Sequence, residues 1–236
     1  MLLDICGKPM IQWVQERAKQ AQALVDVVVA TDDRRIADTV SSYGGRAIMT
    51  RDDHATGTDR LAEAAGKLGA DIIVNVQGDE PFVRPDMIDM LVDALVANRD
   101  IKMSTLMSRI AAEEELDDPS TVKVVVDLDG NALYFSRSRI PFNRSSRDED
   151  RSGVYKHLGL YGYRRDFLLE YARMPQTPLQ RSEQLEQLKV LEHGHRIRVC
   201  LTEYESIGVD TERDLERARA MMAAELGRRN GGEARS

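Results

Sequence analysis

The sequence has few of the features on which small secreted proteins and membrane proteins depend. It contains 2 cysteines, Cys6 and Cys200, at opposite ends of 236 residues, which fits neither a disulfide framework nor a zinc motif. Its apolar runs are far shorter than a membrane span, and Asp4 interrupts the N-terminal apolar residues before a signal-peptide core could form. These absences favour a soluble protein of a reducing compartment, and we expect a cytoplasmic location.

Basic residues are also outnumbered by acidic ones. Lys and Arg total 33 against 40 Asp and Glu, so the net charge is −7, and nothing suggests the basic surface that binds a nucleic-acid backbone or an anionic membrane. The hydrophobic fraction of 42% is ordinary for a globular chain, and this length is sufficient for one well-developed core. We expect a single domain over residues 1–226, followed by a disordered tail over residues 227–236, which are rich in Gly, Arg and Glu.

The common nucleotide-binding signatures are missing as well. Neither G-x-x-x-x-G-K-[ST] nor G-x-G-x-x-G occurs, so P-loop and dinucleotide-binding functions have no support. Gly7-Lys8-Pro9 could place a phosphate-binding lysine at the N-terminus of a helix. A tight turn with a solvated lysine is the simpler interpretation, and we favour it.

Helical segments and short apolar segments alternate from residue 9 onwards, which is typical of an α/β protein. We predict a doubly wound, mostly parallel sheet with an antiparallel hairpin, in which residues 123–127 and 132–136 flank Asp129-Gly130. Residues 155–163 should form a strand or a loop, and residues 183–192 a helix. The first helix begins at about Pro9, which leaves no room for the strand and phosphate-binding loop that usually open such a sheet.

Asp79 is the first candidate for a metal ligand. It follows a predicted buried strand, within residues 75–81 (Asn-Val-Gln-Gly-Asp-Glu-Pro), and ligands of α/β sheets bind at the carboxyl ends of strands. Mg²⁺ prefers carboxylate oxygens and leaves its other positions to phosphate and water. The alternative is a turn in which Asp79 or Glu80 serves the dipole of the next helix.

Asp210 lies between a strand region and the last predicted helix. Two aspartates from distant positions could converge on one metal ion, an arrangement suited to neutralising phosphoryl oxygens during displacement. Compensation of the helix dipole is the alternative role for Asp210. Thr211 and Asp214 have the spacing of a capping box.

A third group of polar residues could bind a polyhydroxylated acid. His157 and Tyr161 lie four residues apart, and Glu183 and Gln184 stand near the start of a predicted helix. A histidine in an apolar segment is more often a core residue, and the acid-amide pair is more often a solvated helix surface. The residues alone leave these alternatives open.

Taken together, several tracts resemble the 3-deoxy-manno-octulosonate cytidylyltransferase (CMP-Kdo synthetase) family. The resemblance runs from about Gly7 to about Arg219, and residues 75–81 are its most specific part. The tracts that carry it are residues 29–32, 56–63, 75–81, 133–137, 156–163, 183–191 and 208–211.

The resemblance implies a nucleotidyl transfer. The anomeric hydroxyl of Kdo would attack the α-phosphorus of CTP, releasing pyrophosphate and giving CMP-Kdo for lipopolysaccharide biosynthesis. The fold implied is that of the nucleotide-diphospho-sugar transferases, with Mg²⁺ as cofactor and a homodimer in which residues 122–136 lie near the interface. A cytidylyltransferase for another sugar acid and a non-catalytic paralogue are the alternatives.

The resemblance also assigns roles to individual residues. Asp79 and Asp210 would hold the metal, and Gln77 would bridge toward the sugar. Residues that would enclose the cytidine are Ala30, Thr31, Asp32, Thr56, Gly57, Thr58 and Arg60. Residues that would contact Kdo are Arg137, His157, Tyr161, Glu183 and Gln184.

The departure from the family pattern lies ahead of Gly7. Family members open with a strand and a loop of the type Pro-Ala-Arg, then Ser-x-Arg-Leu-Pro-Gly-Lys-Pro, whose Arg and Lys hold the triphosphate. The turn that matches Gly7-Lys8-Pro9 comes later, so Lys8 is not the counterpart of that lysine. The sequence as given lacks this opening segment, and we expect a chain of this sequence to be destabilised and nearly inactive.

Overall fold

A computed structural model describes residues 1–54, 56–110, 112–144, 153–204 and 207–233. The chain forms two compact units. The first comprises Met1–Ala55, Val76–Pro85 and Ser206–Ser236, and the second comprises Thr56–Asn75 and Asp86–Glu205. The single domain predicted over residues 1–226 stays a prediction.

Helices occur in both units. In chain order they are α1 (Met10–Ala18), α2 (Arg34–Ser42), α3 (Gly57–Gly66), α4 (Pro85–Ala97), α5 (Glu114–Asp117), α6 (Arg165–Tyr171), α7 (Pro178–Glu183), α8 (Leu188–Glu192) and α9 (Glu212–Glu233). No helix among the described residues is both long enough and apolar enough to cross a membrane.

The strands are mostly short. In chain order they are β1 (Asp4–Ile5), β2 (Lys8–Pro9), β3 (Val28–Thr31), β4 (Arg46–Met49), β5 (Ile72–Asn75), β6 (Met103–Arg109), β7 (Lys123–Val126), β8 (Ala132–Ser136), β9 (Tyr155–Arg164) and β10 (Ile197–Leu201).

The first unit opens with a small antiparallel hairpin of β1 and β2. Its turn residues Cys6 and Gly7 have positive φ angles of 51° and 86°, as a tight two-residue turn requires. The apolar face of α1 packs against α9 in a core that includes Trp13, and the Trp13 indole donates a hydrogen bond to Ile5 O at 2.8 Å. The hairpin, α1 and α9 therefore form one packed layer.

The first unit also contains a parallel βαβ element. β3 pairs in parallel with β4, and α2 connects them. Asp33 begins α2 by accepting a hydrogen bond from the Arg35 amide at 2.8 Å. Parallel pairing places the carboxyl ends of β3 and β4 at one edge, where Thr50 N donates to Thr31 O at 2.9 Å.

The second unit is built on a mixed sheet of six strands. Its order is β10-β6-β9-β7-β8, and β5 also pairs with β9. Only the β10 and β6 pairing is parallel within this sheet, because β9 runs antiparallel to β5, β6 and β7. The long β9 therefore organises the unit, and the core lies between this sheet and the helices around Phe167, Tyr171 and Leu188.

Several sequence predictions are confirmed. The α/β class holds, β7 and β8 form the predicted antiparallel hairpin, and residues 155–163 lie in a strand. The sheet is mixed where we predicted mostly parallel pairing.

The predicted helix over residues 183–192 is wrong. Glu183 ends α7, Gln184 has a positive φ of 53°, and α8 begins only at Leu188. A left-handed residue cannot continue an α-helix, so the chain turns at Gln184. Further along, α9 extends to Glu233, beyond the predicted domain end at Leu226; residues 234–236 of the predicted tail lie outside the described residues.

Candidate active site

Asp79 lies in a tight turn shortly after β5. Glu80 N donates to Gln77 O at 3.2 Å, which closes the turn over Gly78. A Cβ at Gly78 would meet the side chain of Met1 at 2.8 Å, so glycine allows a close approach here. The next helix, α4, begins only at Pro85, so Asp79 does not cap it.

The structure brings Asp210 next to this turn. Val209 N donates to Asp79 O at 2.9 Å, so the backbone immediately before Asp210 is bonded to the backbone of Asp79. The capping of α9 is done by Thr211 and Asp214: Thr211 N donates to Asp214 Oδ2 at 3.0 Å, and Asp214 N donates to Thr211 Oγ1 at 3.2 Å. Asp210 is exposed and is not needed as a cap.

The two carboxylates repel each other. Burial raises the pKa of Asp79, and the negative charge of Asp210 raises it further. Among the described lysines and arginines, none forms an ion pair with either residue. The positive charge of the N-terminal amino group lowers the pKa of Asp79 only in part, so the site holds two close carboxylates whose charge is incompletely compensated, which favours binding of a cation.

The donor chemistry fits a hard divalent ion. Carboxylate oxygens suit Mg²⁺, which normally takes one or two of them and fills its other positions with water and phosphate oxygens. In the described part of the chain, no group of three or more His, Cys, Asp or Glu residues could hold a metal. A site with only two aspartates is suited to an ion whose remaining ligands include phosphate oxygens of a substrate.

The other predicted residues of the first unit lie at the end of β3 and on the Asp79 turn. Thr31 ends β3, and its hydroxyl accepts a hydrogen bond from Asp33 N at 3.1 Å. Ala30 lies within β3, and Asp32 and Gln77 are exposed. The structure therefore presents Asp32 and Gln77 to solvent, while Thr31 supports the turn.

Glu183 is the centre of the polar cluster in the second unit. Its Oε1 accepts from the Ser136 hydroxyl at 2.7 Å and from the Tyr134 hydroxyl at 3.4 Å, and its Oε2 accepts from Arg137 N at 2.9 Å. Burial alone would raise the pKa of Glu183, but these hydrogen bonds outweigh it and hold the pKa below its usual value. Glu183 is therefore an ionised anchor between α7 and β8.

Arg137 fixes the turn that follows Glu183. Its guanidinium donates to Glu183 O at 2.8 Å, to Gln184 O at 3.5 Å and to Pro119 O at 2.8 Å. This arrangement holds Gln184 in its left-handed conformation, with the residue exposed. The structure brings Arg137, Glu183 and Gln184 together, and the Arg137 guanidinium already donates to three protein carbonyls; their contact with Kdo stays a prediction.

A buried lysine donates a hydrogen bond to the backbone of Arg137. Lys123 is fully buried, and its ammonium donates to Asp118 O, Thr121 O and Arg137 O at 2.9, 2.7 and 2.6 Å. All three donors of the ammonium are thereby used. Burial lowers the pKa of Lys123, and its role is to brace the Arg137 backbone.

His157 and Tyr161 are also adjacent, with ring centroids 5.4 Å apart. In a regular strand, residues four apart would be separated by about 13 Å. The pairing of β6 with β9 shifts between Thr105 and Leu106, and this bulge brings the two rings together. Burial lowers the pKa of His157 to about 3 and raises that of Tyr161, so both are neutral near pH 7.

The predicted loop at the start of α3 belongs to the second unit. Thr56 caps α3 in a capping box with Asp59, and the Thr58 hydroxyl donates to Glu186 Oε2 at 2.8 Å. Gly57 and Arg60 lie in the first turns of the helix. Thr56 thus has a structural role, and Ala30, Thr31 and Asp32 lie in the other unit, so the predicted cytidine enclosure stays a prediction.

Sequence reasoning missed several members of this site. Thr105, Ser136, Lys123 and Glu186 all bond to predicted residues or to their supports. Ser136 lies inside a tract that carried the family resemblance, so it could have been found. Thr105 lies in β6, a strand that the hydrophobic pattern did not reveal.

Comparison with known proteins establishes the family. A family model described as cytidylyltransferase matches residues 1–197. The chain is 56% identical over 224 residues to the 3-deoxy-manno-octulosonate cytidylyltransferase of Geobacter sulfurreducens, a match that covers 92% of this chain and 90% of the relative. The chain belongs to the 3-deoxy-manno-octulosonate cytidylyltransferase family.

Other members of the family agree. The enzyme of the same name from Solibacter usitatus is 51% identical over 229 residues, covering 96% of this chain and 89% of the relative. A solved CMP:2-keto-3-deoxy-manno-octonic acid synthetase in complex with CTP superposes with a TM-score of 0.90 at 46% identity, covering 95% of this chain and 91% of that one. These matches confirm the resemblance drawn from the sequence.

A more distant structure shares the fold alone. The 4-diphosphocytidyl-2C-methyl-D-erythritol synthase of Anaerococcus prevotii superposes with a TM-score of 0.62 at 14% identity, over 94% of this chain and 92% of that one. Together with the CTP-complexed structure, which superposes with a TM-score of 0.90, this likeness confirms the fold implied by the sequence.

Proposed function

We propose that the protein transfers CMP from CTP to the anomeric hydroxyl of 3-deoxy-D-manno-octulosonate (Kdo), producing CMP-Kdo for lipopolysaccharide biosynthesis. The observation that carries this proposal is the 56% identity to an enzyme of that name over 92% of the chain. In the reaction, the hydroxyl oxygen bonds to the α-phosphorus, the bond from that phosphorus to the bridging oxygen breaks, and pyrophosphate leaves. The hydroxyl proton passes to solvent.

Asp79 and Asp210 are the residues we assign to a Mg²⁺ ion. The backbone hydrogen bond from Val209 N to Asp79 O brings the two residues close enough for the charge of Asp210 to raise the pKa of Asp79, and no described lysine or arginine forms an ion pair with either. When bound, the ion would neutralise phosphate oxygens of CTP and acidify an attacking hydroxyl. The protein itself then needs little covalent chemistry, and its contribution is to orient the two substrates.

The second unit supplies the groups we assign to the sugar. Neutral His157 and Tyr161 can hydrogen-bond the hydroxyls of a polyol without charge, and Gln184 is exposed on a braced turn. The Arg137 guanidinium brings positive charge to the same turn, where a sugar carboxylate would be attracted. Gln77, on the Asp79 turn, is exposed and is assigned a bridging role toward the sugar.

We also propose a cytoplasmic homodimer in which the hairpin of β7 and β8 lies near the interface. Leu128 and Leu133 on this hairpin are 107% and 62% exposed, which is costly for an isolated hairpin surface. A second copy covering these leucines would remove them from water. Sedimentation measurements on the protein and on Leu128→Ser/Leu133→Ser test this, since the double substitution should shift the mass toward the monomer.

Product identity tests the main proposal. The protein is incubated with CTP, Mg²⁺ and either Kdo or N-acetylneuraminate, and the nucleotide sugar and pyrophosphate are quantified by mass spectrometry and a coupled assay. We expect CMP-Kdo as the product, at whatever rate. Preferential use of the neuraminate would favour another sugar-acid cytidylyltransferase, and binding of Kdo without any transfer would favour a non-catalytic paralogue.

A further inference from the structure

Thr105 occupies an unusual place in β6, directly at the bulge that shapes the sugar-binding residues. It is fully buried, and it pairs with Tyr161 just before the register of β6 and β9 shifts. The next pair is Leu106 with Leu158, so Gly159 and Leu160 are left outside the regular pairing. The Thr105 side chain lies against this irregular backbone.

The Thr105 hydroxyl has three neighbours. It lies 2.8 Å from Leu160 O, 3.2 Å from Leu158 O and 2.9 Å from His157 Nε2. A hydroxyl has one proton to donate, while a carbonyl oxygen can only accept. If the proton pointed at His157, the hydroxyl oxygen would face two carbonyl oxygens with no hydrogen between them, which is repulsive.

The proton of Thr105 therefore goes to the carbonyls of the bulge, and the hydroxyl oxygen accepts a hydrogen bond from the imidazole. His157 Nε2 must then carry the ring proton. In the described part of the chain, Thr105 is the only side chain that hydrogen-bonds to this imidazole, so Nδ1 keeps its lone pair for another partner. The ring is held edge-on to Phe135 at 5.0 Å and close to Tyr161 at 5.4 Å, which restricts its rotation.

We propose that Thr105 is a positioning residue that locks His157 in the Nε2-protonated tautomer, so that Nδ1 accepts a hydrogen bond from a hydroxyl group of the sugar acid. This role rests on the proposed function, since the sugar supplies the donor. A neutral imidazole is required, and burial keeps the pKa of His157 far below neutrality. A branched threonine at a fully buried site has few rotamers, so the acceptor is held in place.

The tautomer is measured first, without substrates. The chain has 4 histidines, and the signals of His157 in ¹⁵N-¹H correlation spectra of the labelled protein are assigned by their loss in His157→Gln. We expect the ¹⁵N shifts of a protonated Nε2 and an unprotonated Nδ1 at pH 7.5. A protonated Nδ1 in the unsubstituted protein would overturn the proposal.

Two substitutions then test the dependence on Thr105. Thr105→Ser keeps the hydroxyl and should keep the tautomer, while Thr105→Val keeps the shape but removes the hydroxyl and should give mixed or Nδ1-protonated His157. An unchanged Nε2-protonated spectrum in Thr105→Val would show that another group sets the tautomer and would overturn the proposal. Far-UV circular dichroism establishes that the compared variants are folded, and the spectrum of the unsubstituted protein decides the tautomer even if Thr105→Val does not fold.

Kinetics add a second readout. Thr105→Val should raise KM for Kdo about 5- to 10-fold, consistent with the loss of one oriented hydrogen bond, and leave KM for CTP within twofold. Thr105→Ser should restore KM for Kdo. Equal changes in both KM values would indicate a merely structural role and contradict the proposal. If no CMP transfer occurs at all, the proposed function fails, while the NMR result still decides the tautomer.

Discussion

The carboxylates of the two units are in opposite situations. In the first unit, Asp79 and Asp210 stand together, and no described lysine or arginine is paired with them. In the second unit, Glu183 accepts hydrogen bonds from Ser136, Tyr134 and Arg137 N, and its pKa is lowered. Asp79 and Asp210 therefore repel each other in the folded protein, whereas the Glu183 carboxylate is hydrogen-bonded within the protein.

This difference indicates what each site can bind. The N-terminal amino group offsets the repulsion between Asp79 and Asp210 only in part, and a bound cation would relieve it further, so this pair favours ligand binding at the expense of stability. The network around Glu183 contributes to stability and keeps the turn at Gln184 rigid before any sugar binds. Substitutions of Asp79 or Asp210 should therefore lower activity without lowering stability. Substitution of Glu183 should lower both.

The largest expected effect is on catalysis at the acidic pair. Asp79→Asn and Asp210→Asn should each lower the rate of CMP transfer about 100- to 1000-fold relative to the unsubstituted protein, as expected from losing a charge that holds a catalytic ion. Because the raised pKa means that ionised Asp79 destabilises the fold near pH 7, Asp79→Asn should leave Tm unchanged or raise it.

The matched control for that experiment is Asp100→Asn, since Asp100 is an exposed carboxylate of the second unit. It should leave the rate of transfer within twofold. If Asp79→Asn lowered Tm by as much as a core substitution, the contrast between the units would be lost.

The second prediction concerns Glu183. Glu183→Gln should reduce the free energy of unfolding by about 1–3 kcal/mol, because three donors lose an ionised acceptor, and it should also raise KM for Kdo. The stabilisation from a carboxyl with a lowered pKa is present above its unfolded pKa and is lost as the pH falls through the folded pKa. The stability gap should therefore be full at pH 7 and shrink below about pH 4.5.

Urea unfolding of both proteins at several pH values measures this gap. The control is Glu170→Gln, an exposed glutamate at the end of α6, whose effect should stay within about 0.5 kcal/mol at each pH. A gap for Glu183→Gln that did not depend on pH would argue against an ionised anchor.

A smaller effect is expected at His157. The unfolded chain takes up a proton near pH 6.5, whereas folded His157 does so only at about 3, so the folded state loses stability as the pH falls through that window. Between pH 7.5 and 5, Tm should fall by about 2–4 °C more in the unsubstituted protein than in His157→Gln.

Differential scanning calorimetry at the two pH values gives this comparison. His193→Gln changes an exposed histidine and should reproduce the behaviour of the unsubstituted protein. Identical pH dependence with and without His157 would show that the imidazole is not buried in neutral form.

The smallest expected effect is at Lys8. Its ammonium lies 2.7 Å from Glu16 Oε2, and both side chains are more than a third exposed, so the ion pair contributes less than about 1 kcal/mol. Lys8→Gln should lower Tm by at most about 2 °C and leave KM for CTP unchanged. Lys67→Gln, which removes a similar pair with Glu63, is the control, and a tenfold rise in KM for CTP in Lys8→Gln alone would assign Lys8 to the nucleotide.

Much of the fold was predictable because its signals are local. The hairpin of β7 and β8 follows from Asp129-Gly130 between two apolar runs, and the α9 cap follows from the spacing of Thr211 and Asp214. The break at Gln184 was not predictable from helix propensity, because Arg137, distant in sequence, holds the left-handed turn. The antiparallel pairings of β9 likewise depend on contacts between remote segments.

The site was predictable in part. Residue type and position suggested that Asp79 and Asp210 could converge on one metal ion; the structure bonds Val209 N to Asp79 O, and the shared ion stays a prediction. The proximity of His157 and Tyr161 depends on a bulge in β9, and Thr105, which supports that bulge, carries no motif. Positioning residues of this kind are visible only in the folded chain.

The most direct test is the affinity for Mn²⁺, as a substitute for Mg²⁺, measured by electron paramagnetic resonance in the presence of CTP. It is applied to the unsubstituted protein, Asp79→Asn, Asp210→Asn and the double variant. We predict a loss of at least about tenfold in each single variant, with the double variant little worse than either, since both side chains serve one ion. Full affinity in either single variant, or losses that simply add, would contradict a shared ion.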